Sequence, residues 1–363
     1  MSGVGARAQF HPLRIRAIRR ETADAVCIAF DVPPELRDAF AYAPGQFLTL
    51  RTTLDGAEIR RCYSICSGLD DDELCVGIRR VPQGLFSHHA NTTLHPGDSI
   101  EVLPPEGRFG APLAPDQARL HVAFAAGSGI TPILAILKTV LRREPHSRFI
   151  LLYGNRSTAS IMFHETLEDL KDRYLDRLSV FHVLSREEQD IPLLSGRLDG
   201  AKVRELLPRL VSPAAIDHAY ICGPASMNEE VAAALAELGV RPERVHRERF
   251  ALPGQPPPAP PRHTPQANAP AFATATIIHD GKSNEVAIAE GESVLDAGIR
   301  AGLNLPWSCH GGMCSTCRAR LREGTVTMTQ NYALEPWELA AGYVLTCQSH
   351  PTAPHVTVDY DQV

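Results

Sequence analysis

One stretch of this chain reads Cys309-His310-Gly311-Gly312-Met313-Cys314-Ser315-Thr316-Cys317, and a fourth cysteine, Cys347, follows thirty residues later. The spacing C-x4-C-x2-C with a distant fourth cysteine is one with which proteins bind a [2Fe–2S] cluster. Two irons sharing two sulfides need four thiolates, and a glycine-containing loop can wrap one side of such a cluster. The spacing therefore predicts that Cys309, Cys314, Cys317 and Cys347 are the ligands of an electron-carrying centre.

Zinc is the alternative for these cysteines, because Cys314 and Cys317 alone form a C-x2-C knuckle. The complete spacing favours the cluster over zinc. The chain has nine cysteines, and residues 1–20 are basic without the apolar core of a secretory signal. We therefore expect a cytoplasmic protein whose other cysteines, such as Cys27 and Cys75, are buried thiols rather than disulfides.

Composition and charge narrow the function classes. With 363 residues, 44% hydrophobic and 21% charged, the chain has the make-up of a globular protein of two or three domains. Segment 120–137 lacks charged residues, but Gly127, Gly129 and Pro132 at its middle predict strand, turn and helix rather than a membrane span. The net charge is −6, and residues 272–363 contribute ten acidic against five basic side chains. This favours docking to a basic partner protein over nucleic acid, although a solvated acidic surface explains the charge equally well.

The pattern of segments predicts a multidomain protein. Residues 1–116 contain short alternating segments separated by turn signals, typical of an antiparallel β-barrel, at 25–30, 46–50, 74–79 and 99–102. Residues 117–251 alternate strands with helices, typical of an α/β domain with a parallel sheet. The predicted strands there are 121–126, 149–153, 178–183 and 219–221, and the predicted helices are 132–142, 163–171, 203–207 and 226–238. A proline-rich linker at 252–271 precedes the cluster domain at 272–363.

The barrel region contains the residue types of a flavin site. Arg61-Cys62-Tyr63-Ser64 ends a predicted strand, where Arg61 can pair with a pyrophosphate, Tyr63 can stack on a flavin ring and Ser64 offers a hydroxyl to flavin N5. Gly84 and Ser87 follow about twenty residues later, where backbone N–H groups at a helix start can hold phosphate. Each motif alone is weak, and Gly84 is equally explained as a turn glycine.

Two further motifs lie where strands of the α/β domain end. Gly127-Ser128-Gly129-Ile130-Thr131-Pro132 follows a strand and opens a helix, which is the placement of a dinucleotide site. It is not the G-x-G-x-x-G fingerprint, so a structural turn is an equal alternative. Cys222-Gly223-Pro224 follows another strand at the same edge of the sheet, where a small side chain can pack beside a nicotinamide. A plain buried cysteine is the alternative.

Taken in order, these motifs resemble the ferredoxin–NADP reductase superfamily fused to a C-terminal plant-type ferredoxin, over nearly the whole chain. The resemblance is strongest to the reductase subunits of bacterial phenylacetyl-CoA epoxidases, in segments 60–66, 152–156, 335–345 and 356–361. It implies an antiparallel β-barrel flavin domain, a parallel-sheet nucleotide domain and a β-grasp ferredoxin domain.

The resemblance also implies roles for individual residues. It assigns the flavin to Arg61, Tyr63 and Ser64, with Gly84 and Ser87 at the pyrophosphate and a contact from Phe250. It assigns the nicotinamide nucleotide to Gly127, Gly129 and Thr131, with Cys222 close to the nicotinamide. Ser64 and Cys222 are thus the two side chains expected next to the reacting rings. FAD is the expected flavin, although a few relatives use FMN.

Coenzyme choice depends on the 2′-phosphate of the nucleotide. Ser185 and Arg186 resemble the pair that holds this phosphate in NADPH-dependent relatives, and Arg156 is expected close by. Cations and hydroxyls there favour NADPH, whereas a carboxylate favours NADH. Glu187, Glu188 and Asp190 lie nearby in sequence, so we expect NADPH and keep NADH as the alternative.

The predicted function is electron transfer from NADPH through FAD and the [2Fe–2S] cluster to a terminal oxygenase. By resemblance, this oxygenase is the di-iron complex that epoxidises phenylacetyl-CoA. The alternatives in the same class are reductases of a ring-hydroxylating dioxygenase or of a steroid 9α-hydroxylase. A non-enzymatic redox sensor or zinc-stabilised binding module is a further alternative, but it leaves the flavin and nicotinamide motifs unexplained.

Overall fold

The computed structural model describes residues 9–250 and 272–362, which form three domains, each built on its own principal β-sheet. The predicted linker at 252–271 lies outside the described residues. The last barrel strand ends at Val102 and the parallel sheet begins at Leu120, so the proposed boundary between 116 and 117 falls in the connecting segment and stays a prediction.

The first domain is an antiparallel barrel of six strands with one helix. Its elements are β1 (His11–Thr22), β2 (Ala25–Asp31), β3 (Phe47–Leu54), β4 (Ala57–Ser64), β5 (Leu74–Arg79), α1 (Leu85–Thr92) and β6 (Ser99–Val102). The strand order is β4-β3-β6-β1-β2-β5, and every pair is antiparallel. A bridge between Ile65, just after β4, and Val76 in β5 joins the two edges. The predicted barrel is confirmed.

The longest barrel strand, β1, was not among the predicted strands. Only a few of its twelve residues are buried, Leu13 and Ile15 among them. Its pairing register with β2 shifts between Ile15 and Ala17. Such a bulge breaks the two-residue alternation that identifies a strand in sequence, and the exposed arginines that follow conceal it further.

The second domain is a five-stranded parallel sheet with helices on both faces. Its elements are β7 (Leu120–Ala126), α2 (Ile130–Arg143), β8 (Arg148–Asn155), α3 (His164–Arg173), β9 (Leu178–Leu184), α4 (Gly200–Leu210), β10 (His218–Cys222), α5 (Ala225–Glu237) and β11 (Val245–Glu248). The order β11-β10-β7-β8-β9 places the topological switch point between β7 and β10, where ligands bind in such sheets. The four predicted strands and four predicted helices are confirmed, and β11 was missed.

The segment without charged residues at 120–137 is β7, a 3₁₀ turn at Gly127–Gly129 and the first part of α2, as predicted. None of the helices in residues 9–250 and 272–362 has the length and apolar character needed to span a bilayer.

The third domain is built on a mixed five-stranded sheet. Its elements are β12 (Ala273–His279), β13 (Lys282–Ile288), α6 (Val294–Arg300), β14 (Arg318–Glu323), β15 (Val326–Met328), α7 (Pro336–Ala340), β16 (Tyr343–Leu345), β17 (Ser349–Pro351) and β18 (His355–Asp359). The order is β13-β12-β18-β14-β16, in which β12 and β18 run parallel and the other neighbours antiparallel. This is the predicted β-grasp arrangement, and the cluster loop connects α6 to β14.

Candidate active site

A cavity of about 1840 Å³ lies where the three domains meet, at the carboxyl ends of the parallel strands. A pocket for one small molecule typically has about 300–1,000 Å³, so this cavity has room for two nucleotide cofactors. Most of the predicted cofactor residues border it: Arg61, Tyr63, Ser64, Gly84, Ser87, Gly127, Gly129, Thr131, Arg156, Ser185 and Phe250. Cys309 of the cluster loop borders the same cavity.

The end of β4 supplies the barrel side of the cavity. Alternation along the strand puts Arg61 and Tyr63 on one face, and the Tyr63 ring packs on Phe86 with 5.5 Å between ring centroids. Burial raises the pKa of the Tyr63 phenol, so the ring is an uncharged aromatic surface. Ser64 is the last residue of β4 and is buried.

The turn before α1 requires glycine at position 84. A Cβ atom on Gly84 would lie 2.4 Å from Val81 Cγ2 and 2.5 Å from Ser87 Oγ. The Ser87 hydroxyl donates to the Gly84 carbonyl at 3.0 Å and accepts from the Val81 N–H at 3.1 Å. Ser87 therefore shapes the turn that borders the cavity, while a direct contact with a pyrophosphate stays a prediction.

The glycine loop between β7 and α2 lies at the switch point of the sheet. Gly127 has a φ of +54°, in the left-handed region that glycine tolerates. A Cβ atom on Gly129 would lie 2.0 Å from the Cys222 carbonyl oxygen. The Thr131 hydroxyl donates to the Ser128 carbonyl at 2.9 Å, which holds the first turn of α2 against the loop.

Cys222 ends β10 and is completely buried, and burial raises the pKa of its thiol. The neighbours of Cys222, Gly223 and Pro224, border the cavity, whereas Cys222 itself is not among the described residues that do. Its proposed place beside the nicotinamide stays a prediction.

Glu248 of β11 pairs in register with Cys222 and is half-buried, and burial raises the pKa of its carboxyl to about 7. Sequence reasoning gave Glu248 no role of its own.

Charged residues of both signs border the cavity. Arg156 and Ser185 border it, whereas Arg186 is not among the described residues that do. Sequence analysis missed the other charged residues that border it, which are Arg79, Arg80, Arg197, Asp24, Asp199 and Glu230. Their positions depend on the packing of distant segments, so no local motif identifies them.

Glu187, next to Arg186 in sequence, has hydrogen-bond partners of its own. Its carboxylate accepts hydrogen bonds from the Thr158 N–H at 2.8 Å and the Thr158 hydroxyl at 2.7 Å. These bonds hold the pKa of the Glu187 carboxyl below its usual range. Glu187 therefore stabilises the turn at Thr158. Its presence next to Arg186 in sequence is then a weaker argument for NADH.

The cluster loop arranges its thiols in two pairs. The neighbouring Cys314 thiol raises the pKa of Cys309, and the neighbouring Cys347 thiol raises the pKa of Cys317. In the parts of the chain that the structure describes, no three of these sulfurs lie within 4.8 Å of one another. Two separate pairs fit a cluster in which each iron has two thiolate ligands, whereas zinc draws four ligands around one centre.

The backbone of the loop also fits a cluster. The N–H groups of Gly311 and Met313 both donate to Cys309 Sγ at 3.4 Å, as predicted for a loop that holds an anionic centre. Gly312 has a φ of +73°, and a Cβ atom there would lie 2.8 Å from the Gln330 carbonyl oxygen.

The ferredoxin domain contacts the barrel directly beside this loop. Cys62 Sγ lies 2.9 Å from Ser308 Oγ, and Ser308 directly precedes Cys309 in the chain. The Arg60 guanidinium lies 4.2 Å from the Trp307 ring centroid and donates to the Trp307 carbonyl at 3.3 Å. The strand that carries the predicted flavin motif therefore touches the segment that carries the predicted cluster ligands.

Polar pairs hold the same interface. The Thr316 hydroxyl donates to Glu106 Oε2 at 2.8 Å. Arg108 lies 2.8 Å from the carboxylate of Glu338, which is completely buried and also paired with Arg318. The buried carboxylate therefore has one arginine partner in the barrel domain and one in its own domain.

Comparison with known proteins agrees with this geometry. Family models match an oxidoreductase FAD-binding domain at residues 12–110, an oxidoreductase NAD-binding domain at 124–233 and a 2Fe-2S iron-sulfur cluster binding domain at 277–352. The chain is 44% identical to a subunit of the 1,2-phenylacetyl-CoA epoxidase of Escherichia coli K12, over 97% of this chain and 98% of that one.

Two further relatives extend the comparison. The ferredoxin reductase component of 3-ketosteroid-9-alpha-monooxygenase from Rhodococcus rhodochrous is 35% identical over 96% of each chain. The solved structure of phthalate dioxygenase reductase covers 96% of this chain and 98% of its own at a TM-score of 0.59 and 22% identity, a likeness of fold. The chain therefore belongs to the family of NAD(P)H-dependent oxygenase reductases in which an FAD-binding domain, an NAD-binding domain and a [2Fe–2S] ferredoxin domain are joined.

Proposed function

We propose that this protein is the reductase of a phenylacetyl-CoA epoxidase and takes its electrons from NADPH. One observation supports the electron path above all others: the flavin motif, the nicotinamide motif and cluster ligand Cys309 border a single cavity. The identity of 44% to a subunit of that epoxidase, over nearly the full length of both chains, supports the choice of oxygenase.

The residues that border the cavity have separate tasks in this proposal. Bound FAD supplies the chemistry of accepting a hydride from a nicotinamide and releasing electrons singly to an iron–sulfur centre. Tyr63 offers its aromatic face to the flavin ring and Arg61 its guanidinium to the pyrophosphate. Ser64, the last residue of β4, offers its hydroxyl to flavin N5. Gly127 and Gly129 let the backbone approach the nicotinamide nucleotide closely.

NADPH is the preferred coenzyme because Arg156, Ser185 and Arg197, which all border the cavity, offer two guanidinium groups and a hydroxyl. A phosphate monoester binds well to paired arginines and a hydroxyl. The carboxylate of Glu187, which argues for NADH in the sequence alone, is bound to Thr158 instead.

A second candidate partner is a 3-ketosteroid 9α-monooxygenase. The support for it is the relative from Rhodococcus rhodochrous, which matches at 35% identity over the same length. Both candidates need the same flavin and cluster, so only the oxygenase distinguishes them.

Reconstitution tests the choice of oxygenase. Purified protein with FAD and an intact cluster is mixed with NADPH and either the phenylacetyl-CoA epoxidase oxygenase or the ketosteroid oxygenase, and oxygenated product is quantified. We expect NADPH-dependent product only with phenylacetyl-CoA. The variant Cys347→Ser is the control, since it removes a cluster ligand and should abolish product while electron transfer from NADPH to ferricyanide continues. Product only with the ketosteroid oxygenase would overturn the proposed partner.

An anaerobic titration tests the electron path itself. We expect NADPH to bleach the flavin absorbance and to produce a rhombic [2Fe–2S] EPR signal, and to do so faster than NADH. Equal rates with both coenzymes would contradict the 2′-phosphate assignment and leave the path intact. Bound zinc with neither flavin absorbance nor an EPR signal would contradict the whole proposal.

A further inference from the structure

Three potential metal ligands lie together at the edge of the nucleotide domain. The proposed electron transfer assigns no role to any of them. They are His164 and Glu168 of α3 and His182 of β9, and their ligand atoms all lie within 4.8 Å of one another. His164 and Glu168 are four residues apart, so their side chains share one face of the helix. His182 lies on the edge strand that this helix packs against, with its ring 5.6 Å from the His164 ring.

His182 is the unusual member of this group. Both of its ring nitrogens are buried, and neither has a hydrogen-bond partner among the described residues. A buried polar group without a partner costs about 1–3 kcal/mol, and the aromatic neighbour Tyr153, 5.9 Å away between ring centroids, does not offset it. A cation bound by one of these nitrogens would remove part of that cost.

We propose that His164, Glu168 and His182 bind a divalent transition-metal ion, with Zn²⁺ as the preferred ion and water as the fourth ligand. Two histidines and one glutamate form a known zinc ligand set. Bonds of about 2.0–2.2 Å in a tetrahedral site put ligand atoms about 3.3 Å apart. The side chains of His164 and Glu168 are half-buried, so small rotations bring them from the observed separation to this one.

The existing partner of Glu168 does not prevent binding. Lys171 lies 3.6 Å from the Glu168 carboxylate, in a pair whose two side chains are 41% and 43% exposed. Such exposed pairs contribute little to stability, so the carboxylate can exchange the ammonium for a metal ion. The bound ion would join α3 to β9. The residue that follows β9 is Ser185, which borders the cavity.

A second group of potential ligands serves as a comparison within the same chain. His279, Asp280 and Asp361 of the ferredoxin domain also lie within 4.8 Å of one another. Both carboxylate oxygens of Asp361 already accept backbone hydrogen bonds, from Asp280 at 2.9 Å and Gly281 at 2.8 Å. A metal ion at this second group would compete with those bonds.

Equilibrium dialysis of the full-length protein, with FAD and the cluster intact, against buffered Zn²⁺ tests the proposal. We expect about one zinc per chain by mass spectrometry of metals, together with a rise in the Tm. His182→Ala and Glu168→Gln should each lose the zinc and the Tm rise. His279→Ala and Glu165→Gln, the latter an exposed glutamate on the same helix, should keep both.

X-ray absorption at the zinc edge identifies the ligands independently of the variants. We expect nitrogen and oxygen neighbours at about 2.0–2.2 Å and no sulfur at about 2.3 Å, which separates this site from the cysteines. No zinc on the wild-type protein, zinc retained by His182→Ala and Glu168→Gln, zinc lost in His279→Ala, or sulfur ligation would each overturn the proposal. Flavin absorbance and the EPR signal report whether each variant is folded, and Glu168→Gln alters only a half-buried side chain on the helix surface.

Discussion

At the level of single side chains, the cavity offers guanidinium groups that suit phosphates and an aromatic ring that suits a flavin. Arg61, Arg156 and Arg197 border it, and so does Tyr63, whose phenol is uncharged. Guanidinium groups bind phosphates in a fixed geometry, and aromatic rings stack on other rings without needing charge. These residue types therefore suit dinucleotides, which combine phosphates with aromatic rings.

Replacing Arg156 tests the coenzyme preference. We expect Arg156→Ala to raise the KM for NADPH by about 10- to 100-fold, because a hydrogen bond to a charged group contributes about 1.5–3 kcal/mol. The KM for NADH should change less than twofold, since NADH lacks the 2′-phosphate. Steady-state kinetics with ferricyanide as acceptor measure both values.

Arg186→Ala is the matched control, because Arg186 is exposed and is not among the described residues that border the cavity. A larger effect of Arg186→Ala than of Arg156→Ala on the KM for NADPH would contradict this arrangement.

The raised pKa of Glu248 makes stability depend on pH. Its carboxyl keeps a proton up to about pH 7 in the folded protein, whereas its ordinary pKa of 4.5 applies once the chain unfolds. The folded state thus binds more protons between these pH values, so this group's contribution to stability falls as the pH rises from 4.5 to 7. Glu248→Gln removes this dependence.

We therefore expect Glu248→Gln to unfold at the same Tm as wild type near pH 4.5 and at a higher Tm above pH 7. The difference should be on the order of 2 kcal/mol, below the full shift because the side chain is only half-buried. Differential scanning calorimetry across this range measures it, with the exposed Glu165→Gln as control. A difference that is constant with pH would show that Glu248 ionises normally.

At the level of secondary structure, the loop between β7 and α2 forms the predicted nucleotide site at the border of the cavity. The 3₁₀ turn at Gly127–Gly129 connects them at the point where strand order reverses. Parallel strands end at one edge of a sheet, so the turn and the Cys222-Gly223-Pro224 segment necessarily meet there. Gly129 packs so closely on the β10 backbone that it fixes the distance between the two motifs.

Gly129→Ala tests this close packing. Its Cβ would lie 2.0 Å from the Cys222 carbonyl oxygen, so β10 and α2 must move apart at a cost of about 1–3 kcal/mol. We expect a lower Tm and weaker NADP⁺ binding by isothermal titration calorimetry. Ser128→Ala, in the same turn, should change neither. Unchanged NADP⁺ affinity in Gly129→Ala would contradict a role for this contact in the site.

At the level of the whole molecule, the ferredoxin domain docks with its cluster loop on the flavin strand. Contacts at Arg60, Cys62, Glu106 and Arg108 come from the barrel side, and Arg249 at the end of the nucleotide domain lies 4.9 Å from the Tyr332 ring centroid. This arrangement brings cluster and flavin motif to one cavity. It also covers the loop on the side that faces the barrel, so an oxygenase must reach the cluster from another side or after the domains separate.

Arg108→Ala weakens this docking without altering either cofactor motif. Glu338 keeps Arg318 as a partner in its own domain, so the ferredoxin domain should stay folded. We expect reduction of the cluster to slow by about fivefold, since an ion pair of this kind contributes about 1 kcal/mol, while reduction of the flavin by NADPH is unchanged. Anaerobic stopped-flow absorbance separates the two rates, with the exposed Arg37→Ala as control. Equal slowing of both rates would place the effect outside the interface.

Local patterns in the chain were sufficient to predict the [2Fe–2S] ferredoxin domain, the barrel and the parallel sheet. Each of these features depends on residue spacing or periodicity over a short segment. Such a local pattern is enough to predict whether the segment forms a loop, a strand or a helix. The strand β1 was missed because a bulge interrupts its alternation. The approach of His182 to His164 and of Arg108 to Glu338 joins elements that no local pattern links. Such contacts arise from the packing of whole elements against one another, so their partners become visible only when the chain is folded.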